Sequence, residues 1–166
     1  MKIFKSMTIL ATVLGSLTWA NELKVDANSS SLRWFASKVT GKHDGAVKVK
    51  SGSLKVVKGA LQSGKVVLDM TTITVRDIEN PEYNAKLVGH LNSPDFFEVD
   101  KFKSAVLLIE SVKQVKGEDH TISGKLMIKG YTHPVNFPAK IKTDGESLTA
   151  QAKIEIDRTL WKIQYG

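Results

Sequence analysis

Four histidines, His43, His90, His120 and His133, are the side chains of this chain best suited to metal ligation or to proton transfer near neutral pH. Each lies in a different segment, and no pair has the spacing of a metal site. His90 and His133 read as hydrogen-bonding groups at helix or strand ends. Asp69, Asp95 and Asp157 are the best placed carboxylates: Asp69 interrupts an apolar run, and Asp157 precedes Arg158. Two such groups could form an acid–base pair, but a structural ion pair or a turn hydrogen bond is the commoner use of isolated aspartates. Ser37 and Ser93 have no triad-like context, and Gly89 and Gly130 stand alone with no phosphate-cradling loop. The chain has no cysteine, which excludes thiol catalysis, zinc–thiolate sites and covalent haem attachment. No catalytic signature emerges, no metal is expected, and the chain reads as a binding protein rather than an enzyme.

Lys38 is the sharper candidate. In Leu32-Arg33-Trp34-Phe35-Ala36-Ser37-Lys38-Val39, strand alternation puts Trp34 and Lys38 on one face. An amine in an apolar interior would anchor a phosphate, carboxylate or quinone oxygen. The blander reading places Lys38 at a rim, its ammonium reaching water along its own stem.

These residues are carried by strands. Leu148–Asp157, Val135–Lys142 and Ile122–Lys129 alternate apolar and polar residues; Val47–Lys50 is a shorter case and Val66–Met70 a blurred one. Asp144-Gly145 is a hairpin signal, and Lys50-Ser51-Gly52, Gln62-Ser63-Gly64 and Lys116-Gly117-Glu118 read as further turns. Short strands broken by such turns read as a sandwich or barrel. A single sheet with one apolar face buries it by closing on itself, and about eight strands leave an interior that side chains fill or that holds one small ligand. The run from Asn80 to Leu91 reads as one short helix: Asn80 caps it, Pro81 takes the first position and Glu82 suits the first turn. Tyr83, Leu87 and Leu91 share a face, with Val88 beside them. With Phe96 and Phe97, which follow in a segment of polar and turn residues, this helix would form a lid or plug on the barrel.

The N-terminus reads as a separate object. Lys2 and Lys5 precede an apolar run, Ile9 to Leu17, and Thr18-Trp19-Ala20 supplies small residues at a cleavage site, so residues 1–20 read as a signal peptide. The run is short for a membrane span of about 20 apolar residues. Of the 166 residues, 21–166 remain as a single domain, and loss of two lysines and no acids lowers the formal charge from +7 to +5. That excess suits transient contact with an anionic membrane surface. Nucleic acid is not an expected partner, because the lysines are spread along every strand and alternate with apolar residues. Without disulfides, an exported chain must draw its stability from its core.

Several of these segments together resemble the YceI-like polyisoprenoid-binding family. They are Trp34, Lys38, Thr40-Gly41-Lys42-His43 and Gly45; Gly64 to Thr71; His90-Leu91 with Asp95-Phe96-Phe97; Ile128-Lys129-Gly130 before Thr132-His133-Pro134-Val135; and Ile156-Asp157-Arg158-Thr159. They span nearly the whole of 21–166 in the expected order. The resemblance implies an all-β, antiparallel, lipocalin-like barrel of about eight strands, exported to the periplasm. Its lumen would hold a long-chain isoprenoid, either a polyprenyl lipid or a quinone, or another fatty lipid. No resident cofactor is implied beyond such a lipid. The lining set chosen by alternation is Trp34, Leu68, Met70, Leu126, Ile128 and Phe137, with Leu87, Leu91, Phe96 and Phe97 from the lid and Lys38 at the head group. Two alternatives stand beside this: an enzyme acting on a lipid in the same barrel, through Lys38 or an Asp–His pair, and a stress-related scaffold with a filled core. Members of the family usually continue with another strand beyond the point reached by Tyr165-Gly166, which leaves the last seam open. A dimer is among the assembly states left open.

The leader carries a direct expectation. Protein released by osmotic shock should begin at Asn21 on N-terminal sequencing; recovery of intact Met1 in the membrane fraction would reverse the assignment.

Overall fold

A computed structural model describes residues 20–38, 41–144 and 147–163. The leader therefore lies outside the described residues except for Ala20, as do Thr40, Gly145, Tyr165 and Gly166, together with the Lys38 side chain. Eight strands form one antiparallel sheet, the fold class expected from the alternation: β1 Ala20–Lys24, β2 Leu32–Lys38, β3 Gly41–Val57, β4 Ala60–Val75, β5 Ser104–Lys116, β6 Asp119–Ile128, β7 Tyr131–Asp144 and β8 Ser147–Ala152. β3 through β8 follow one another in order, while β1 and β2 both pair along the other edge of β3. One helix, α1 Pro81–Asn92, interrupts the series between β4 and β5.

The sheet curls without closing its ladder. Among the described residues no strand pairing joins β8 to β1 or β2, so the full closure anticipated for a barrel is not made by hydrogen bonds. Side chains draw the two ends together instead: Leu23 of β1 and Leu148 of β8 pack on the same buried cluster. Inward residues alternate with exposed ones, as along β7, where Phe137, Ala139 and Ile141 are buried and Pro138, Lys140 and Lys142 are exposed.

Two expected turns are strand interiors. Lys50-Ser51-Gly52 lies inside β3 and Gln62-Ser63-Gly64 inside β4, and the chain reverses instead at Lys58-Gly59, where both residues have positive φ (51° and 77°). The physical reason is close approach of backbones. A Cβ on Gly64 would stand 2.7 Å from the Ser53 carbonyl oxygen and 2.6 Å from the Leu54 side chain. One on Gly124 would strike the Leu108 carbonyl oxygen, and one on Gly45 the Thr74 carbonyl oxygen and the Trp34 ring. Glycine in a strand marks such points of close approach. Register shifts between Ala46 and Lys48, Val49 and Ser51, and Lys55 and Val56 add local twist to the β3–β4 pair. The Lys116-Gly117-Glu118 turn is found where expected, joining β5 to β6.

The last expected strand is shorter than its pattern. β8 ends at Ala152, and Ile154 to Asp157 leave the sheet for a 3-10 turn at Arg158–Trp161. Asp157 caps that turn, accepting from the Thr159 amide at 3.0 Å and the Thr159 hydroxyl at 2.7 Å. The turn is pulled inward because its far end, Trp161 and Ile163, carries the two most deeply buried side chains of the described residues.

Strand glycines and the helical glycine should respond oppositely to a methyl group. Gly124→Ala should cost about 1–3 kcal/mol in urea unfolding, the scale of overpacking a site that cannot give. Gly89→Ala, on the open face of α1 with nothing within 4 Å, should gain about 0.5–1 kcal/mol from helix propensity. Equal responses would remove close approach as the reason for the strand glycines.

Candidate functional site: the barrel interior and its two ends

The inward side chains form two buried clusters along the barrel. The cluster beneath α1 holds Val47, Met70, Ile73, Val75, Leu91, Val99, Ala105, Leu126, Ile128, Trp161 and Ile163. The cluster toward the strand turns holds Val56, Leu61, Ile109, Ile122, Phe137, Ala139 and Ile141. Leu107 and Val135 pack against both.

Most of the sequence-chosen set meets in one place. Met70, Leu91, Leu126 and Ile128 belong to the helix-end cluster, and Trp34, Leu68, Leu87, Phe96 and Phe97 pack against it. Phe137 lies in the other cluster. Lys38 ends β2 opposite Gly41. Trp34 is oriented by its indole nitrogen, which donates to the Thr74 carbonyl at 3.1 Å. Tyr83 departs from expectation: it is 61% exposed and stacks under the Lys86 ammonium on the outer face of α1. The helix position facing inward near its start is Asn84, whose amide donates to the Val75 and Ile78 carbonyls and so ties α1 to the end of β4. Asn80 caps the helix as expected, accepting from the Glu82 and Tyr83 amides at 3.0 and 3.1 Å.

The helix end is closed by aromatic packing. Phe96 meets Phe97 edge to face at 4.8 Å, and the Arg158 guanidinium lies 5.6 Å from the Phe96 ring centre. Arg158 also donates to the Ile163 carbonyl at 2.7 Å. Trp161 donates from its indole nitrogen to the Leu126 carbonyl at 3.1 Å and meets the His133 ring edge to face. Lys129, in the β6–β7 turn, donates to the Pro94 carbonyl at 2.7 Å and holds the loop after α1 down. The segment from Asp77 to Asp100 carries six carboxylates and one lysine, against the basic excess of the rest of the chain.

Two clefts open on the described surface. One of about 600 Å³, lined by Ser53, Lys55, Ser63, Lys65, Leu108 and Glu110 among others, lies on the outward side of the sheet. The other, about 430 Å³, opens at the turn end and reaches Leu61, Val112 and Ile141 of the apolar interior. The smaller cleft is the better candidate for an apolar ligand, because it meets Leu61 and Ile141 of the turn-end cluster and Val112 packed on it, where the larger meets Ile109 of that cluster alone; its volume is within the range of small-molecule pockets.

Sequence reasoning missed Trp161 and Ile163. A signal was present: Asp157-Arg158-Thr159 repeats the Asp-x-Thr of Asp69-Met70-Thr71, and in both places the carboxylate accepts from the Thr amide and hydroxyl. In β4 the motif sits where the β3 register is interrupted between Asp69 and Thr74, and at Asp157 it turns the chain out of the sheet.

Four titratable groups tie strands together. His43 and Asp77 lie 2.8 Å apart at the protein surface, and the second Asp77 oxygen accepts the Asp44 amide at 2.9 Å. Arg33 pairs with Asp44 at 3.0 Å. This network pins the start of β3 to the segment after β4. No group of three or more potential ligands gathers as a metal site among the described residues.

A family model described as YceI-like domain matches residues 23–166. Proteins named YceI from Salmonella arizonae and Salmonella newport are 32% identical over 78 residues, which is 47% of this chain and 40% of theirs. The match thus spans less than half of those relatives. The crystal structure of Burkholderia cenocepacia BcnA superposes with a TM-score of 0.69 at 20% identity over 86% of each chain, a likeness of fold.

The Asp44 amide, and after it the His43 ring, hold the Asp77 carboxyl below its usual value of 3.8. The unfolded chain therefore binds a proton at higher pH than the native one. The stabilisation is complete well above 3.8 and is lost as pH falls through the depressed native value. The melting midpoint should drop as pH falls from about 5 to below about 3, and Asp77→Asn should make that drop shallower. An unchanged slope would mean that Asp77 plays no part.

Proposed function

Because this chain belongs to the YceI-like family, we propose that it binds and sequesters a long-chain isoprenoid, a polyprenyl lipid or a quinone, inside its curled sheet after export to the periplasm. The single observation that carries the reading is the continuous apolar inner face. Two adjoining clusters built from β3 to β7 share Leu107 and Val135 and contain no buried charged group among the described residues. Such a surface recognises hydrocarbon and little else. Burial gains about 0.8 kcal/mol per methylene, so affinity is spread over many contacts. Phe137 and Leu126 are the members of the sequence-chosen set closest to the junction of the clusters; Trp34, Leu68, Met70, Leu87, Leu91, Ile128, Phe96 and Phe97 then shape the closed end. Lys38, which ends β2 opposite Gly41 at the helix end of the sheet, contributes little to affinity.

A second reading, a scaffold with a filled core, is favoured by one observation: Trp161 and Ile163 are each only 1% exposed. Solvent extraction and native mass spectrometry of protein taken from its own periplasm separates the two. One co-purifying isoprenoid per chain is expected; a clean apoprotein supports the scaffold. Affinity for a fluorescent quinone analogue should change less than about threefold between low and high salt, because apolar burial is not screened. A large loss in salt matched by the same loss in Lys38→Met would replace the hydrocarbon reading with an electrostatic one.

A further inference from the structure

We propose that the lipid enters this barrel at the strand-turn end, opposite α1, and that Trp161 sets the length of chain admitted. The inference rests on the isoprenoid-binding reading above and adds a direction and a gauge to it.

The turn end is built as a mouth. Its cleft runs between the β3–β4 turn at Gly59, the β5–β6 turn at Gly117 and the end of β7 at Lys142 and Thr143. Leu61 and Ile141 at its floor belong to the turn-end cluster, and Val112 packs against it. The polar groups are confined to the rim. Gln114 donates to the Gly117 carbonyl at 2.7 Å, the His120 ring stands 2.7 Å from the Glu118 carbonyl, and the Lys142 ammonium forms no ion pair among the described residues. An apolar floor with a few donors at its lip suits an amphiphile that leaves its polar head outside and threads its chain inward.

The opposite end is packed. α1, Phe96 and Phe97 pack down on the helix-end cluster, and the Trp161 and Ile163 side chains are buried in it. Arg158 braces the insert against the cap, holding the Ile163 carbonyl on one side and covering Phe96 on the other. Trp161 sits beside the Leu126–His133 pair, one inward step beyond Gly124–Val135, where the two clusters meet. A chain threading from the mouth past Ile122 and Phe137 therefore ends against the indole. From Ile141 to His133 the path follows eight residues of β7, roughly 27 Å at about 3.4 Å per residue.

The test uses delipidated mature protein and a series of free prenols, geraniol, farnesol, geranylgeraniol and solanesol, competing with a fluorescent fatty-chain probe. Wild type should prefer an intermediate member. Val112→Arg in the mouth should weaken every prenol at least about tenfold with an unchanged melting curve. If that variant melts early, Gln114→Trp, which narrows the exposed rim, is expected to do the same. Tyr83→Arg on the outer face of α1 should change nothing. Trp161→Ala, or Trp161→Leu if the first does not fold, should shift the preference toward a longer prenol by about threefold or more. Entry at the turn end is overturned if the mouth variants bind as wild type does, and the gauge is overturned if a folded Trp161 variant keeps the wild-type preference. Binding of no prenol by wild type would remove the isoprenoid reading itself, an outcome distinct from either.

Discussion

An antiparallel sheet with one apolar face and a single helix beside it has little to pack against except itself. Everything else in this chain follows from that constraint. The sheet must curl tightly enough for its first and last strands to reach one cluster, and curling is limited by how closely neighbouring backbones can pass. Gly45, Gly64 and Gly124 sit where a Cβ would collide with the carbonyl of an adjacent strand, so removal of the side chain is what permits the curvature. The register shifts along β3 act in the same sense. Burial, the cleft at the turn end and the placing of α1 are consequences of that coil.

Curling alone leaves the helix end open, and the segment after β8 completes it. Trp161 contributes a large apolar surface together with one polar atom, and that atom meets a carbonyl of β6. Arg158 then couples the insert to the aromatic cap through a carbonyl on one side and a ring on the other. Packing, rather than a continuous ladder, is what seals this end. The interior is consequently asymmetric: a closed half crowded with aromatic rings, and a half lined by smaller aliphatic residues that reaches solvent.

Local pattern was enough to read what is local. Two-residue alternation located β6, β7 and the start of β8, and Asn80-Pro81-Glu82 located the helix start almost to the residue. Gly-Ser pairs misled because a glycine required by a neighbouring strand looks, in one dimension, the same as a glycine required by a turn. The neighbour that decides between them, Ser53 for Gly64 or Leu108 for Gly124, is remote in sequence. Tyr83 misled for a similar reason. Four-residue spacing defines a helical stripe but not which part of it meets the sheet, and here the inward start of the stripe belongs to Asn84. Trp161 escaped notice because Leu160, Trp161 and Ile163 follow neither strand nor helix periodicity; their burial comes from one irregular turn reaching into a space made by distant strands.

The six carboxylates over the helix end do not stand alone. Arg76, Lys101 and Lys103 flank that segment in the chain, Lys129 reaches the Pro94 carbonyl and Arg158 covers Phe96. Acids and bases therefore interleave around the cap, and the field they make dies away within roughly 10 Å at 0.1 M salt. The cap is thus seated by short contacts rather than by a long-range field.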